Sequence, residues 1–144
     1  MATEKQRKAK ELAGIARRQH GIVTRAQARA LGVSVSAMAR AVERGEWQRV
    51  HPGIFRIDRG ADALTSLMVA AVLRAPGRTW VSHRSAALLS GMEIQARALW
   101  PDVTTTANLR GGRATVHSVA SMPEEDATSR RGIPVTSAAR TLVD

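Results

Sequence analysis

No cysteine occurs among the 144 residues, which removes disulfides, thiolate metal ligands and a cysteine nucleophile together and accords with a reducing compartment. Aromatic residues are scarce as well: one Phe and three Trp are too few for the stacking platforms that hold single-stranded nucleic acid. No lysine follows Lys10, so a nuclease centre built from a carboxylate cluster and a lysine finds no lysine downstream. Long apolar runs are also missing. The longest, ALTSLMVAAVL from Ala63 to Leu73, is far shorter than the ~20 residues of a membrane span. The basic start MATEKQRKAKELAGIARR precedes an apolar patch too short for a signal-peptide core. Together these absences predict a cytoplasmic chain without a membrane partner, long enough to bury one core or two small ones.

Positive charge, by contrast, is plentiful and unevenly placed. Lys and Arg number 22 against 12 Asp and Glu, a net charge of +10. Residues 1–60 hold 13 of the basic residues and 5 of the acidic, leaving residues 61–144 almost balanced. A basic N-terminal half predicts a polyanion as partner; the plainer reading is a solvated, arginine-rich surface. All three lysines lie within the first ten residues, as an arm for phosphates or as the frayed start of a helix.

Helical punctuation is clear in this half. In EKQRKAKELAGIARRQHG, Leu12, Ile15 and Ala16 recur at helical spacing before Gly21. Thr24 opens TRAQ, a Thr-x-x-Gln capping box for a second helix that runs to about Leu31 and Gly32. Ser34 caps a third helix to about Arg44, with Val35, Met38 and Val42 predicted on its inner face and Gly45 beyond its end. WQRV and GIFRI then flank His51-Pro52 as a hairpin. Three helices and a hairpin in this order are the sequence of elements in a winged helix-turn-helix, which gives an α+β fold class with a small mixed α/β domain after it.

The third helix carries the chemistry of a DNA-reading element. With its valines and Met38 inward, Ser36, Ala37, Arg40 and Arg44 fall on the other side. Small residues at the helix start permit close approach to a duplex, Ser34 and Ser36 can hold phosphate, and an arginine can grip guanine O6 and N7 with two bonds, Arg40 first among them. Gln48, Arg49, His51 and Arg56 sit on or beside the predicted wing, where basic residues reach the sugar-phosphate backbone. Thr24 and Arg25, at the start of the second helix, complete the expected DNA-binding set. Against this stands a helical packing module with arginines on its surface. Trp47 and Phe55 are expected to anchor the hairpin to the helices.

The texture changes near residue 60, which predicts a winged-helix domain over 1–60 and a small α/β domain over 61–144. ADALTSLMVAAVLRA reads as an apolar helix stopped by Pro76-Gly77; TWVSHRSAALLSGM as a strand, a Ser82 cap and a buried helix. PDVTTTA and ATVHSVA read as the two strands of a hairpin around NLRGGR, and IPVTSAARTLVD as a strand entering a helix within which the chain is expected to be truncated. Glu124-Glu125-Asp126 reads as a solvated turn rather than a metal site, and His20, His51, His83 and His117 have no ligand-like spacing. With no Gly-rich phosphate loop and no Gly-x-Ser-x-Gly elbow, the expectation is a non-enzyme with no metal and no cofactor.

GIVTRAQARALGVSVSAMARAVERGEWQRVHPGIFRI, VSHRSAALLSGM and GIPVTSAARTLVD, in this order, resemble the AbiEi-type antitoxin and transcriptional regulator family of bacteria. The resemblance implies a winged-helix domain on operator DNA, with Ser34, Ser36, Arg40 and Arg44 on the recognition helix and Arg49, His51 and Arg56 on the wing. It further implies an α/β domain directed at a nucleotidyltransferase-like toxin, with SHRSA and PVTSAARTL as structural signatures. Many relatives continue past this point, some into a nuclease-like domain. The function expected is therefore a sequence-specific, double-stranded-DNA-binding regulator, repressor or antitoxin, cytoplasmic and nucleoid-associated when bound to DNA. The alternatives are the DNA-targeting or scaffold part of a longer nuclease-type protein and a toxin-binding interaction module. A homodimer on inverted half-sites is left open.

Overall fold

The computed structural model describes residues 3–93 and 100–144. Helices and two sheets alternate in a mixed α+β architecture, and the chain divides into two compact units, Met1–Ser66 and Leu67–Asp144.

In the first unit, helix α1 (Glu4–Arg18) starts at a capping box in which the Thr3 hydroxyl accepts from the Gln6 amide while the Gln6 side chain accepts from the Thr3 amide. Strand β1 (Ile22–Thr24), helices α2 (Arg25–Ala30) and α3 (Val35–Glu43), and strands β2 (Gln48–His51) and β3 (Ile54–Arg56) follow. The strands form an antiparallel sheet in the order β1-β3-β2, with Val23 opposite Phe55 and Arg49 opposite Phe55 on the other side. Leu12, Ala16, Val23, Ala28, Met38 and Phe55 form the core, and the Trp47 ring, 5.3 Å from that of Phe55, closes one side of it.

The joint between α1 and the sheet is held by amides. Gln19 and Gln27 exchange two side-chain hydrogen bonds of 2.9 and 2.8 Å, while Gln19 also donates to the Ile22 carbonyl at 2.8 Å. Gly21 takes φ +93°, and a Cβ there would lie 2.6 Å from the Asp58 carbonyl oxygen, so the site excludes any other residue.

The second unit is a five-stranded sheet of order β6-β5-β4-β8-β7. Its elements are helix α4 (Ala63–Leu73), in which the boundary between the units lies, β4 (Thr79–Val81), α5 (His83–Leu89), β5 (Asp102–Thr105), β6 (Thr115–Ser118), a 3₁₀ turn (Glu124–Asp126), β7 (Ala127–Arg130), β8 (Ile133–Thr136) and α6 (Ala138–Val143). Ser66, the last residue of the first unit, donates its hydroxyl to the His20 carbonyl at 2.6 Å within that unit. Buried hydroxyls in the sheet satisfy one another: Thr79 with Thr105 at 2.9 Å, Thr104 with Ser82 at 2.8 Å, Thr136 with Thr141 at 2.8 Å.

Three features differ from the sequence reading. Strands β5 and β6 are parallel neighbours, with Val103 opposite Val116, not a hairpin. The loop between them is held by Arg74, which donates to the carbonyls of Arg110 and Gly111 at 2.9 and 2.8 Å. Val35 of α3 is 46% exposed; the inner face of that helix is Met38 and Ala41, with Val42 half-buried. Asp126, at the end of the acidic run, is half-buried and pairs with Arg140 at 3.0 Å, whereas Glu124 and Glu125 are exposed.

Candidate nucleic-acid interface

Helix α3 is positioned by its inner face and by its cap. Ser34 accepts from the Ala37 amide at 3.1 Å, so its hydroxyl oxygen is engaged in capping. Burial of Met38 and Ala41 turns Ser36, Ala39, Arg40 and Glu43 to solvent, with Val35 and Arg44 on the flanks. Among the described residues, neither Ser36 nor Arg40 forms a side-chain hydrogen bond or ion pair. Ala37, expected on this open face, is half-buried. Arg40 and Arg44 also edge a groove of about 870 Å³ between α1 and α3, with Lys5 and Lys8 on the opposite rim. Lys8 reaches the Gly32 carbonyl at 3.3 Å.

The hairpin is short and tightly bound to the rest of the unit. Its Pro52-Gly53 turn is joined to the start of α2 by the Arg25 amide, which donates to the Gly53 carbonyl at 2.8 Å. The Arg25 side chain is exposed beside it. Thr24 is half-buried, its hydroxyl accepting from the Gln27 amide at 3.1 Å.

The wing set separates into three environments. Arg49 is exposed on edge strand β2, its guanidinium carbon 6.0 Å from the Phe55 ring centroid. Gln48 is half-buried opposite Arg56. His51, by contrast, is only 5% exposed, beside the register shift between Arg49 and His51. Arg56 is half-buried. Its guanidinium donates to the carbonyls of Ala61 at 2.7 Å and Arg59 at 3.4 Å, so it fastens the loop after β3.

Sequence reasoning missed Lys5 and Lys8 as neighbours of the third helix. Their signal was the N-terminal lysine cluster, and the capping box at Thr3, which fixes them on an ordered helix, was the cue to place it. It missed Arg59 too, which donates to the Gly45 carbonyl at 2.8 Å and so bridges the end of α3 and the loop after β3. Among the described residues no group of three or more His, Asp or Glu is placed to hold a metal ion, and no helix is long and apolar enough to cross a membrane.

No curated protein matches this chain. A family described as transcriptional regulator, AbiEi antitoxin, has a model that matches residues 10–57, which takes in most of α1 and everything from there through β3; it is the family to which the sequence motifs point.

Proposed function

We propose that the N-terminal unit is a winged-helix domain that binds double-stranded DNA sequence-specifically, with α3 in the major groove, and that the protein regulates transcription as a repressor or antitoxin. The element order α1-β1-α2-α3-β2-β3 with sheet order β1-β3-β2 supports the winged-helix reading. The observation that carries the DNA reading is the outer face of α3, where Ser36 and Arg40 are exposed on a helix with a capped N-terminus. Arg40 is the guanine-reading side chain in this proposal, and Glu43, on the same face, is suited to accept from a cytosine amino group. Arg25, Arg44 and Arg49 are exposed around it to contact phosphates. The description of the matched family adds a toxin as a second partner for proposal.

The test is affinity for the duplex upstream of the protein's own gene against a scrambled duplex of equal length, at two salt concentrations. A large ratio that survives added salt supports sequence reading. Equal, salt-sensitive binding to both reduces the basic unit to an electrostatic anchor.

A further inference from the structure

The second unit contains a cluster that DNA binding does not use. Where β4 passes into α5, His83 adopts φ +54°, a left-handed conformation uncommon outside glycine that is frequent at functional positions. Its ring stacks on that of His117, centroids 3.7 Å apart and planes 17° from parallel. Both rings line a cleft of about 490 Å³, with Arg84 at its edge and Ala87, Met92 and Leu142 among its walls.

Hydrogen bonding assigns each ring a role. Thr104 donates to the Ser82 oxygen at 2.8 Å, and the Ser82 hydroxyl lies 2.9 Å from His83 Nδ1, where it can pass on its own proton. With Ser82 as that donor, neutral His83 carries its proton on Nε2 and presents a donor there. His117 Nε2 lies 3.1 Å from Oδ1 of buried Asp102 and donates to it, leaving Nδ1 as an acceptor while the ring is neutral. The carboxylates of the cleft are already engaged: Asp102 by His117 and Asp144 by Arg140 at 3.0 Å. Arg84 is exposed and has no ion pair among the described residues. What remains is one fixed cation, one N–H donor and one nitrogen acceptor.

We propose that this cleft binds a phosphate monoester, with Arg84 and His83 Nε2 donating to phosphoryl oxygens and His117 Nδ1 accepting from the P–OH of the monoanion. A phosphate with its second pKa near 6 carries both the acceptors and the proton that this set complements; a carboxylate brings no such proton. The apolar walls leave room for the organic part of the ester. The site is independent of the DNA reading, since all its residues lie in the second unit.

The experiment follows histidine Cε1–H resonances of the full chain by NMR at constant ionic strength, with His83 and His117 assigned through His83→Gln and His117→Gln. Inorganic phosphate, a nucleoside 5′-monophosphate, the same nucleoside and acetate are titrated separately. The proposal expects saturable shifts of His83 and His117 with phosphate, tighter with the monophosphate, none with nucleoside or acetate, and still resonances from His20 and His51. Arg84→Gln, at an exposed position, should weaken binding about tenfold. Absence of saturable shifts up to ~10 mM phosphate or monophosphate, equal binding of the nucleoside or acetate, or full affinity in Arg84→Gln would overturn it. Saturation by phosphate with no gain from the monophosphate would overturn the organic ester and leave the free anion as ligand.

Discussion

Arg40→Ala separates a DNA-reading helix from a merely soluble one. The Arg40 side chain is exposed and makes no ion pair or hydrogen bond among the described residues, and Arg and Ala have nearly equal helix propensity. Folding should therefore change by no more than about 0.5 kcal/mol, a shift in Tm within about 2 °C for a chain of this size. The loss at the interface should be larger. An arginine bidentate to guanine contributes about 1–3 kcal/mol of discrimination, so specific affinity should fall roughly 5- to 150-fold while the scrambled duplex loses much less. Arg56→Ala makes the opposite control, because its guanidinium is bonded to the Ala61 and Arg59 carbonyls. Losing those bonds costs about 1–3 kcal/mol of stability, with a Tm lower by roughly 2–8 °C in a scanning melt. Fluorescence anisotropy on both duplexes, paired with thermal melts, reads both effects. An Arg40→Ala protein with unchanged specific-to-scrambled ratio would refute the assignment of α3.

The remaining expectations bear on the same elements. Arg49→Ala, on the exposed edge strand, should weaken all duplexes alike and lower the salt slope by about one, measured by anisotropy across a salt series. Met38→Ala should cost about 2–5 kcal/mol, but Val35→Ala less than about 1 kcal/mol, because Met38 is 2% and Val35 46% exposed; urea midpoints test the pair. Gly21→Ala should destabilise by about 1–3 kcal/mol from backbone strain alone, before the contact with the Asp58 carbonyl is relieved. Burial, then the neighbouring His117, lowers the pKa of His83 below 6.5. The unfolded chain thus takes up this proton first, and stability should fall as pH drops from 6.5 to the lowered folded value, then level off. Urea midpoints across that range should show a steeper fall in the wild type than in His83→Gln.

Local signals and tertiary signals divide what the sequence could convey. The helices of the first unit were legible because capping is a short-range event: Thr24 and Gln27 are three residues apart, and both hydrogen bonds of the box form. Strand β1 was not, since Ile22–Thr24 is too short to alternate and both Ile22 and Val23 are buried. The parallel pairing of β5 and β6 was hidden for a related reason. Two short strands around a glycine-bearing loop look like a hairpin locally, and only their parallel register in the sheet shows otherwise. The same limit applied to the basic residues, which composition presents as interchangeable. Arg49 and Arg56 lie on neighbouring strands of one sheet, yet one is exposed and the other is bonded to carbonyls five and three residues ahead.

That division also bears on the SHRSA motif, whose sequence reads as a structural signature. Ser82 is at the N-cap position of α5, but no side-chain cap hydrogen bond forms there; its hydroxyl is turned to Thr104 and His83 instead. The helix forgoes a cap commonly worth about 1 kcal/mol, while three hydroxyl and imidazole groups are aligned into one chain. His117 and Asp102, which complete the arrangement, come from β6 and β5, more than fifteen residues on from the motif. A motif whose local rule is broken, and whose side chains are instead organised by distant strands, is where function is expected to override propensity. Ser82→Ala should consequently leave the helix formed and release the His83 tautomer, detectable as a change in its imidazole ¹⁵N shifts; unchanged shifts would mean that the hydroxyl chain does not set the proton on Nε2.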